Sequence, residues 1–208
     1  MQATDVELLE AWRGGDRHAG ERLFERHFDA VSRFFRNKVD FGVDDLIQRT
    51  FLACVESRER IRGDSSFRTF LFAVARNLLR KHYRGKRRHG GEIDFGVTSV
   101  HDMGPSPSVV VAEHQEQQLL LQALRRIPLD HQVILELYYW ERLTSAEIAE
   151  VLGVPHGTAR TRIRRAKQLL EEQLRALQSD RGLVESTIAN LESWAASLRE
   201  RLGRPPPA

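Results

Sequence analysis

The sequence has a single cysteine, Cys54, and no apolar run that approaches the ~20 residues of a membrane-spanning helix. Disulfide scaffolds and cysteine-rich zinc sites are therefore excluded, and a lone cysteine fits a reducing cytoplasm. The N-terminal segment MQATDVELLEAW lacks the basic start and apolar core of a secretory signal. With 41% hydrophobic and 29% charged residues among 208, we expect a soluble cytoplasmic protein of one large or two small domains, with no membrane contact.

Features of catalytic and cofactor sites are also missing. The eight histidines are scattered, and the sequence contains no glycine-rich phosphate loop, no nucleophile motif and no metal-ligand spacing. We therefore expect a protein that is not an enzyme and that holds neither a metal nor a cofactor.

The charges are strongly segregated along the chain, although the net charge is only +3. Residues 76–90 contain seven Lys/Arg and no acid, and residues 156–170 contain five and no acid. The rest of the chain is acidic. Two basic segments on an acidic body favour two contacts with a nucleic acid, since each neutralised phosphate releases counterions. A solvated helix face is the alternative for either segment alone.

Apolar residues recur every three or four positions, which predicts an all-α protein without a sheet. Thr4 and Glu7 form a capping-box pattern before a first helix, and Asp44 is a candidate cap for a third. The stripe Phe24, Phe28, Val31 and Phe35 indicates a core-facing second helix. A fourth helix carries the first basic segment at its end. Four helices therefore form a domain over residues 1–89.

The segment GGEIDFGVTSVHDMGPSPSVVV has four glycines, two prolines and no helical period. It predicts a flexible linker over residues 90–112. Its acids Glu92, Asp94 and Asp102 are either negatively charged neighbours of the preceding basic segment or part of a passive tether. Helices then resume as a second domain over 113–178, with interruptions at Pro128, at 142–144 and at 153–157.

The most specific pattern is LTSAEIAEVLGVPHGTARTRIRRAKQLL. Thr144 and Glu147 predict a capping box, and Gly153 can adopt the positive φ that ends a helix. Apolar residues at helical spacing complete the core of a helix-turn-helix. Its second helix presents residue types that reach guanine edges and phosphates, which are Arg160, Thr161, Arg164 and Arg165.

Taken together, the two halves resemble the extracytoplasmic function (ECF) sigma factors, group IV of the sigma-70 family, over about residues 5–176. The segment DDLIQRTFLACVES resembles the family's polymerase-binding helix, and SFRTFLFAVARNLLRKHYR resembles its helix for recognition and melting of the minus-ten element, both in sigma region 2. The segment from Leu124 to Ala166 is similar to sigma region 4, which binds the minus-thirty-five element. This resemblance implies transcription initiation with bacterial core RNA polymerase, through its clamp helices and flap, at promoter DNA.

The resemblance also implies roles for individual residues. Asn77 matches the position that contacts a flipped-out base, and an amide that donates and accepts suits base reading. The minus-ten site would further comprise Arg62, Asp64 and Ser65 as a base-pocket loop, with Arg80, Lys81 and Arg84 on the backbone. The core polymerase-binding residues would be Asp45, Leu46, Gln48 and Phe51, an apolar anchor with a polar rim.

A helix-turn-helix regulator that never joins the polymerase is the alternative function. Such a regulator needs only the second domain, with the first as a sensor or dimeriser. A sigma factor needs both basic segments and the clamp-binding helix. A pull-down of core polymerase separates the two classes.

Residues 179–208 extend beyond the resemblance and carry their own pattern. Apolar residues continue every seven positions from Ile163 through Leu177 to Leu198. We expect a C-terminal amphipathic helix over about 180–202, with a bend or break near Gly182. The buried positions would be Val184, Ile188, Leu191, Ala195 and Leu198. This stripe must pack on the chain's own domains, on a second copy by self-association, or on a different protein such as an anti-sigma factor.

Overall fold

A computed structural model of the chain describes residues 3–61, 67–86, 93–103, 115–193 and 196. Nine α-helices account for most of these residues, and no strand occurs among them apart from an isolated bridge between Ser99 and Pro128. The helices are α1 (Asp5–Arg13), α2 (Arg17–Arg36), α3 (Val43–Glu56), α4 (Phe67–Lys86), α5 (Gln115–Arg126), α6 (Leu129–Tyr139), α7 (Ser145–Leu152), α8 (His156–Leu177) and α9 (Arg181–Ala189). The expected all-α fold is confirmed.

Helices α1–α4 pack together as an N-terminal bundle. The capping box of Thr4 and Glu7 is present at the start of α1. Val31 and Phe35 of the aromatic stripe are fully buried. Helix α3, however, follows Gly42 in a left-handed conformation (φ 81°) with no side-chain cap, so the expectation that Asp44 caps α3 was wrong. Asp44 lies in the first turn instead, where its charge still favours the helix dipole.

The middle of the predicted linker, residues 93–103, packs on the ends of both halves. Phe95 is fully buried, and its carbonyl accepts a hydrogen bond from Asp130 N at 3.0 Å. The linker acids do not pair with the basic segment among these residues. Asp94 accepts from Gly96 N, and Asp102 accepts from Ser99. Local turns therefore use both carboxylates, while Phe95 anchors the segment by apolar burial.

Helices α5–α8 form the C-terminal unit. Pro128 separates α5 from α6, and Arg142 with φ 52° turns the chain before α7. The capping box of Thr144 and Glu147 begins α7, and Gly153 with φ 65° ends it. The expected helix-turn-helix is present with its predicted cap, turn and core.

The C-terminal extension continues the chain as α9, which packs on α5 and α8. The break expected near Gly182 occurs slightly earlier, because Gln178 is extended and Asp180 caps α9 through Gly182 N and Leu183 N. Val184 is buried, and Ile188 and Leu191 pack against the core from partly buried positions. Ala195 and Leu198 lie outside the described residues. The described part of the apolar stripe thus packs within the chain.

None of the helices in the described part of the chain combines the length and the apolar character needed to cross a bilayer.

Candidate nucleic-acid interface and docking groove

The second helix of the helix-turn-helix, α8, is fixed on one side and open on the other. Ala159, Ile163 and Ala166 are buried at helical spacing against the rest of the C-terminal unit. The small side chain of Ala149 in α7 is also buried where the two helices pack. The opposite side of the first turns of α8 is exposed to solvent.

The open side of α8 carries the predicted readout residues. All four are exposed, namely Arg160, Thr161, Arg164 and Arg165. The Thr161 hydroxyl donates to the Gly157 carbonyl at 3.1 Å, and the Arg165 guanidinium lies 3.2 Å from the Glu172 carboxylate. Because this ion pair is exposed, a DNA phosphate could displace Glu172 at little cost. The structure thus places these four side chains together on the exposed side of α8.

Helix α4 forms a second polar surface in the N-terminal bundle. Asn77, Lys81 and Arg84 are exposed on it. Arg80 is half-buried, with its guanidinium 4.9 Å from the centre of the Phe95 ring, and Arg84 lies 5.7 Å from the same ring. The ring therefore orients two cations beside Asn77. The remaining minus-ten candidates, Arg62, Asp64 and Ser65, lie outside the described residues.

Sequence reasoning did not show that Arg76, in the basic segment of α4, is buried. Arg76 has only 8% of its side chain exposed and lies 3.2 Å from the Asp130 carboxylate of α6. Burial lowers the pKa of Arg76, while the Asp130 charge opposes that shift. The seven cations of residues 76–90 gave no indication of which one would face inward, because that depends on the position of α6.

An apolar groove of about 680 Å³ opens between α2 and α3. Its floor consists of aromatic rings, with Phe24 4.9 Å and Phe28 6.3 Å from Phe51 between ring centres. Gln48 and the carboxylates of Glu25, Asp29 and Asp44 line its rim. Exposed aromatic surface with a polar rim is typical of a protein-binding site.

The four residues predicted to bind polymerase differ in their position relative to this groove. Gln48 and Phe51 line it, whereas Asp45 is exposed on the same helix in an ion pair with Arg49 at 2.9 Å. Leu46 is only 3% exposed and faces the bundle core, so this member of the predicted set does not lie on an exposed surface. Leu46 lies on the inward face of α3, as does the next residue, Ile47, which is also buried.

Phe28 is the groove residue whose exposure sequence reasoning missed. It was assigned to the core with Phe24, Val31 and Phe35, but 49% of it is exposed. The spacing of the aromatic stripe along α2 does not show which of its side chains the neighbouring helix α3 covers. Leu52 and Val55 of α3 extend the exposed apolar surface on the same helix.

No group of three or more potential metal ligands occurs in the residues that the structure describes.

Comparison with known proteins matches each half of the chain to a known protein family. Residues 23–89 match the model of sigma-70 region 2, and residues 117–170 match that of sigma-70 region 4; together they cover more than half of the chain. The ECF RNA polymerase sigma-E factors of Haemophilus influenzae and Escherichia coli K12 are each 26% identical over 185 residues. These alignments cover 85% of this chain and 98% and 97% of the respective relatives. The chain is an ECF sigma factor of the sigma-70 family.

Solved structures share the fold of this sigma factor. CnrH in complex with the cytosolic domain of CnrY superposes with a TM-score of 0.60 at 23% identity, over 83% of this chain and 97% of that chain. RpoE of Bartonella quintana, in complex with the anti-sigma factor NepR, gives 0.57 at 19% identity, over 74% and 96%. The family establishes the function. This sigma factor binds core RNA polymerase and directs promoter-specific transcription initiation, and a regulator independent of polymerase is not favoured.

Proposed function

We propose that three surfaces divide the work of initiation along this chain. The α2–α3 groove docks on the polymerase, α4 recognises and opens the minus-ten element, and α8 holds the minus-thirty-five element. The observation that carries this proposal is the joint exposure of an aromatic groove and two basic helices on one chain. A DNA-binding regulator has no need of the groove.

The groove is proposed to receive the clamp helices of the polymerase. Phe28 and Phe51 supply a rigid apolar anchor, and Gln48 supplies hydrogen bonds at the rim. Asp45 adds a negative charge at the edge, where it contributes to orientation more than to affinity.

For α4, Asn77 is proposed to read one unstacked base, while Arg80, Lys81 and Arg84 bind phosphates. The loop with Arg62, Asp64 and Ser65 would complete the base pocket. An amide can both donate to and accept from a base edge, whereas cations on phosphates carry no sequence information. For α8, Arg160, Thr161, Arg164 and Arg165 would face the major groove.

These roles define the domain organisation that we propose. Residues 1–89 form region 2, 90–112 the linker, 113–178 region 4, and 179–208 a C-terminal extension. Because polymerase and promoter are its partners, the protein would act in the cytoplasm and would not be an enzyme. A further proposed partner is a protein regulator comparable to the anti-sigma factor bound to RpoE of Bartonella quintana. This regulator would bind the exposed groove in competition with polymerase.

Run-off transcription tests the proposal. Purified protein added to bacterial core polymerase should start transcripts at defined positions on a genomic promoter library, and core polymerase alone should not. Failure both to bind core polymerase and to direct initiation would contradict it. Specific DNA binding by the free protein without initiation would instead indicate the regulator.

A further inference from the structure

The proposed base-pocket loop belongs to residues 62–66, which lie between two buried side chains of the N-terminal bundle. Ile61 precedes this segment and Phe67 follows it, and each is only 1% exposed. Burial of both side chains fixes where the chain leaves the bundle and where it returns, because moving either one would expose apolar surface to water. The positions of these two ends therefore limit where the loop can present its side chains to a base.

The last turn of α1 holds the first of these ends. Arg13 donates through Nε to the carbonyl of Arg58 at 3.3 Å, in a partly buried hydrogen bond. Arg58 begins the single helical turn Arg58–Arg60, which leads directly to Ile61. The guanidinium of Arg58 also lies 5.8 Å from the centre of the Trp12 ring, in a cation–π contact. Helix α1 therefore contacts both the backbone and the side chain of Arg58.

The first turn of α1 supports the second end through His27. The Asp5 carboxylate lies 2.7 Å from His27 Nε2, and the His27 ring centre lies 5.6 Å from that of Phe67. His27 is only 7% exposed, so these contacts are largely shielded from water. Phe67 begins α4, the helix that carries Asn77. One short helix is thus linked to the chain on both sides of the proposed base-pocket loop.

The exposed side of α1 is unsuited to DNA. Its residues include Val6, Glu7 and Glu10, and the carboxylates would be repelled by phosphates. Arg13 is only partly exposed, and its Nε is used on the Arg58 carbonyl. Helix α1 can therefore affect minus-ten recognition through Arg58 without touching DNA itself. All of these contacts lie within the N-terminal bundle, so they do not depend on the position of the C-terminal unit.

We propose that Arg13 is a positioning residue for minus-ten recognition, which fixes the backbone at Arg58 and thereby the point where the base-pocket loop begins. This inference rests on the proposed role of that loop. Without the hydrogen bond the loop would begin over a range of positions, and a displacement of about 1 Å is enough to impair a recognition site severely. Phosphate binding by the cations of α4 would continue, because it depends on charge and carries no sequence information. The expected defect is a loss of base discrimination at nearly unchanged affinity for a nonspecific strand.

Base discrimination by the complex with core polymerase tests the proposal. Run-off transcripts of the wild type locate the minus-ten element, and fluorescent single strands carry that element with each base replaced in turn. Discrimination is the ratio of the affinities for the native strand and for the replacement that weakens wild-type binding most. Arg13→Ala should lower this ratio about fivefold or more, whereas the affinity for a scrambled strand should change less than about twofold. Arg13→Lys should restore the ratio, because an ammonium group can also donate to a single carbonyl.

Arg22→Ala is the matched control. Arg22 is an exposed arginine of α2, and within the described part of the chain it forms neither a hydrogen bond nor an ion pair. Its replacement removes the same charge from the same bundle and should leave discrimination unchanged. Each variant is assayed well below its own melting temperature, so that the ratio reports on folded protein and a purely structural loss does not lower it.

Wild-type discrimination by Arg13→Ala would overturn the positioning role, as would a loss that Arg13→Lys fails to restore or that Arg22→Ala shows equally. Asp64→Ala separates this failure from failure of the proposed function. If Asp64→Ala loses discrimination while Arg13→Ala keeps it, the loop reads the base and only the positioning role is wrong. If Asp64→Ala also keeps wild-type discrimination, the proposed role of the loop is wrong and the inference fails with it.

Discussion

The indole ring of Trp12 in α1 lies directly on Gly20 in α2. A Cβ atom built on Gly20 would be 2.6 Å from both Cδ1 and Nε1 of that ring, well inside van der Waals contact. The same ring packs edge-on against Phe24, with 5.1 Å between the ring centres. The absence of a side chain at Gly20 therefore sets how closely α1 approaches α2, which forms one wall of the apolar groove.

Gly20→Ala should destabilise the protein by about 1–3 kcal/mol, because a rigid indole ring must move to admit the methyl group. The melting temperature should fall by roughly 3–10 °C in calorimetry. Gly85→Ala is the control, since a Cβ there meets nothing within 4 Å and alanine favours a helix. Equal stability of the two variants would show that Trp12 rotates away freely.

Phe28→Ala should weaken binding to core polymerase by about tenfold or more, since an exposed aromatic anchor in a groove is a typical hot spot. The melting temperature should change little, because about half of the side chain is already exposed. Binding is measured by titration of labelled sigma factor with core enzyme. Val6→Ala, another exposed apolar site but on α1, should bind normally. Loss of binding in both variants would contradict the proposal that core polymerase binds specifically at the groove.

Asn77→Ala and Lys81→Ala should separate base reading from phosphate binding. Asn77→Ala should impair opening at particular promoters, as followed by fluorescence of an unstacking base analogue, because the amide reads one base. Lys81→Ala should weaken DNA binding at all promoters alike and lower the salt slope by about one unit per lost phosphate contact. Normal opening by Asn77→Ala at every promoter would exclude Asn77 from the site.

Asp5→Asn should destabilise the bundle in a pH-dependent manner. The Asp5 carboxylate bonds to His27 at 2.7 Å and to Arg26 at 2.6 Å, and these contacts lower its pKa to about 2. A carboxyl with a depressed pKa in the folded state stabilises the protein above pH 4 and loses that contribution between about pH 4 and 2. Because Asp5 is partly exposed, we expect on the order of 1 kcal/mol in urea titrations at pH 7.

The difference between Asp5→Asn and the wild type should therefore shrink steadily below pH 4. Asp29→Asn, on the exposed side of α2, should track the wild type at every pH. A destabilisation of Asp5→Asn that is equally large at pH 2.5 and pH 7 would indicate lost packing rather than lost charge.

Deletion of all residues after Gln178 should lower the melting temperature of region 4, because α9 covers apolar side chains of α5 and α8. Leu191 lies with Leu120, Leu124 and Leu170 around one small gap, which the deletion would open to water. Deletion after Ser193 keeps α9 and is the control. Transcription at equal protein level should not rise. A rise in transcription with unchanged stability would instead make the extension an inhibitor.

The sequence alone determined the helical elements and the helix-turn-helix. Thr144, Glu147 and Gly153 act through their own backbone neighbours, so that cap and turn could be read from local spacing. The exposed residues Arg160 and Arg164 followed from the apolar period of α8 by elimination. Helix caps, turns and apolar spacing depend on residues close together in the sequence and are the same in every fold, so these features could be predicted.

Tertiary structure alone decided which surfaces stay open. Phe28 and Leu46 both belong to apolar stripes of amphipathic helices, yet Phe28 lies in a groove and Leu46 in the core, since the width of each stripe depends on where the neighbouring helix ends. Lys38 and Glu136 are 98 residues apart, and nothing in either segment indicates that they meet. Long-range pairing of charges depends on how the two halves of the chain pack together, and helical periodicity carries no information about that packing.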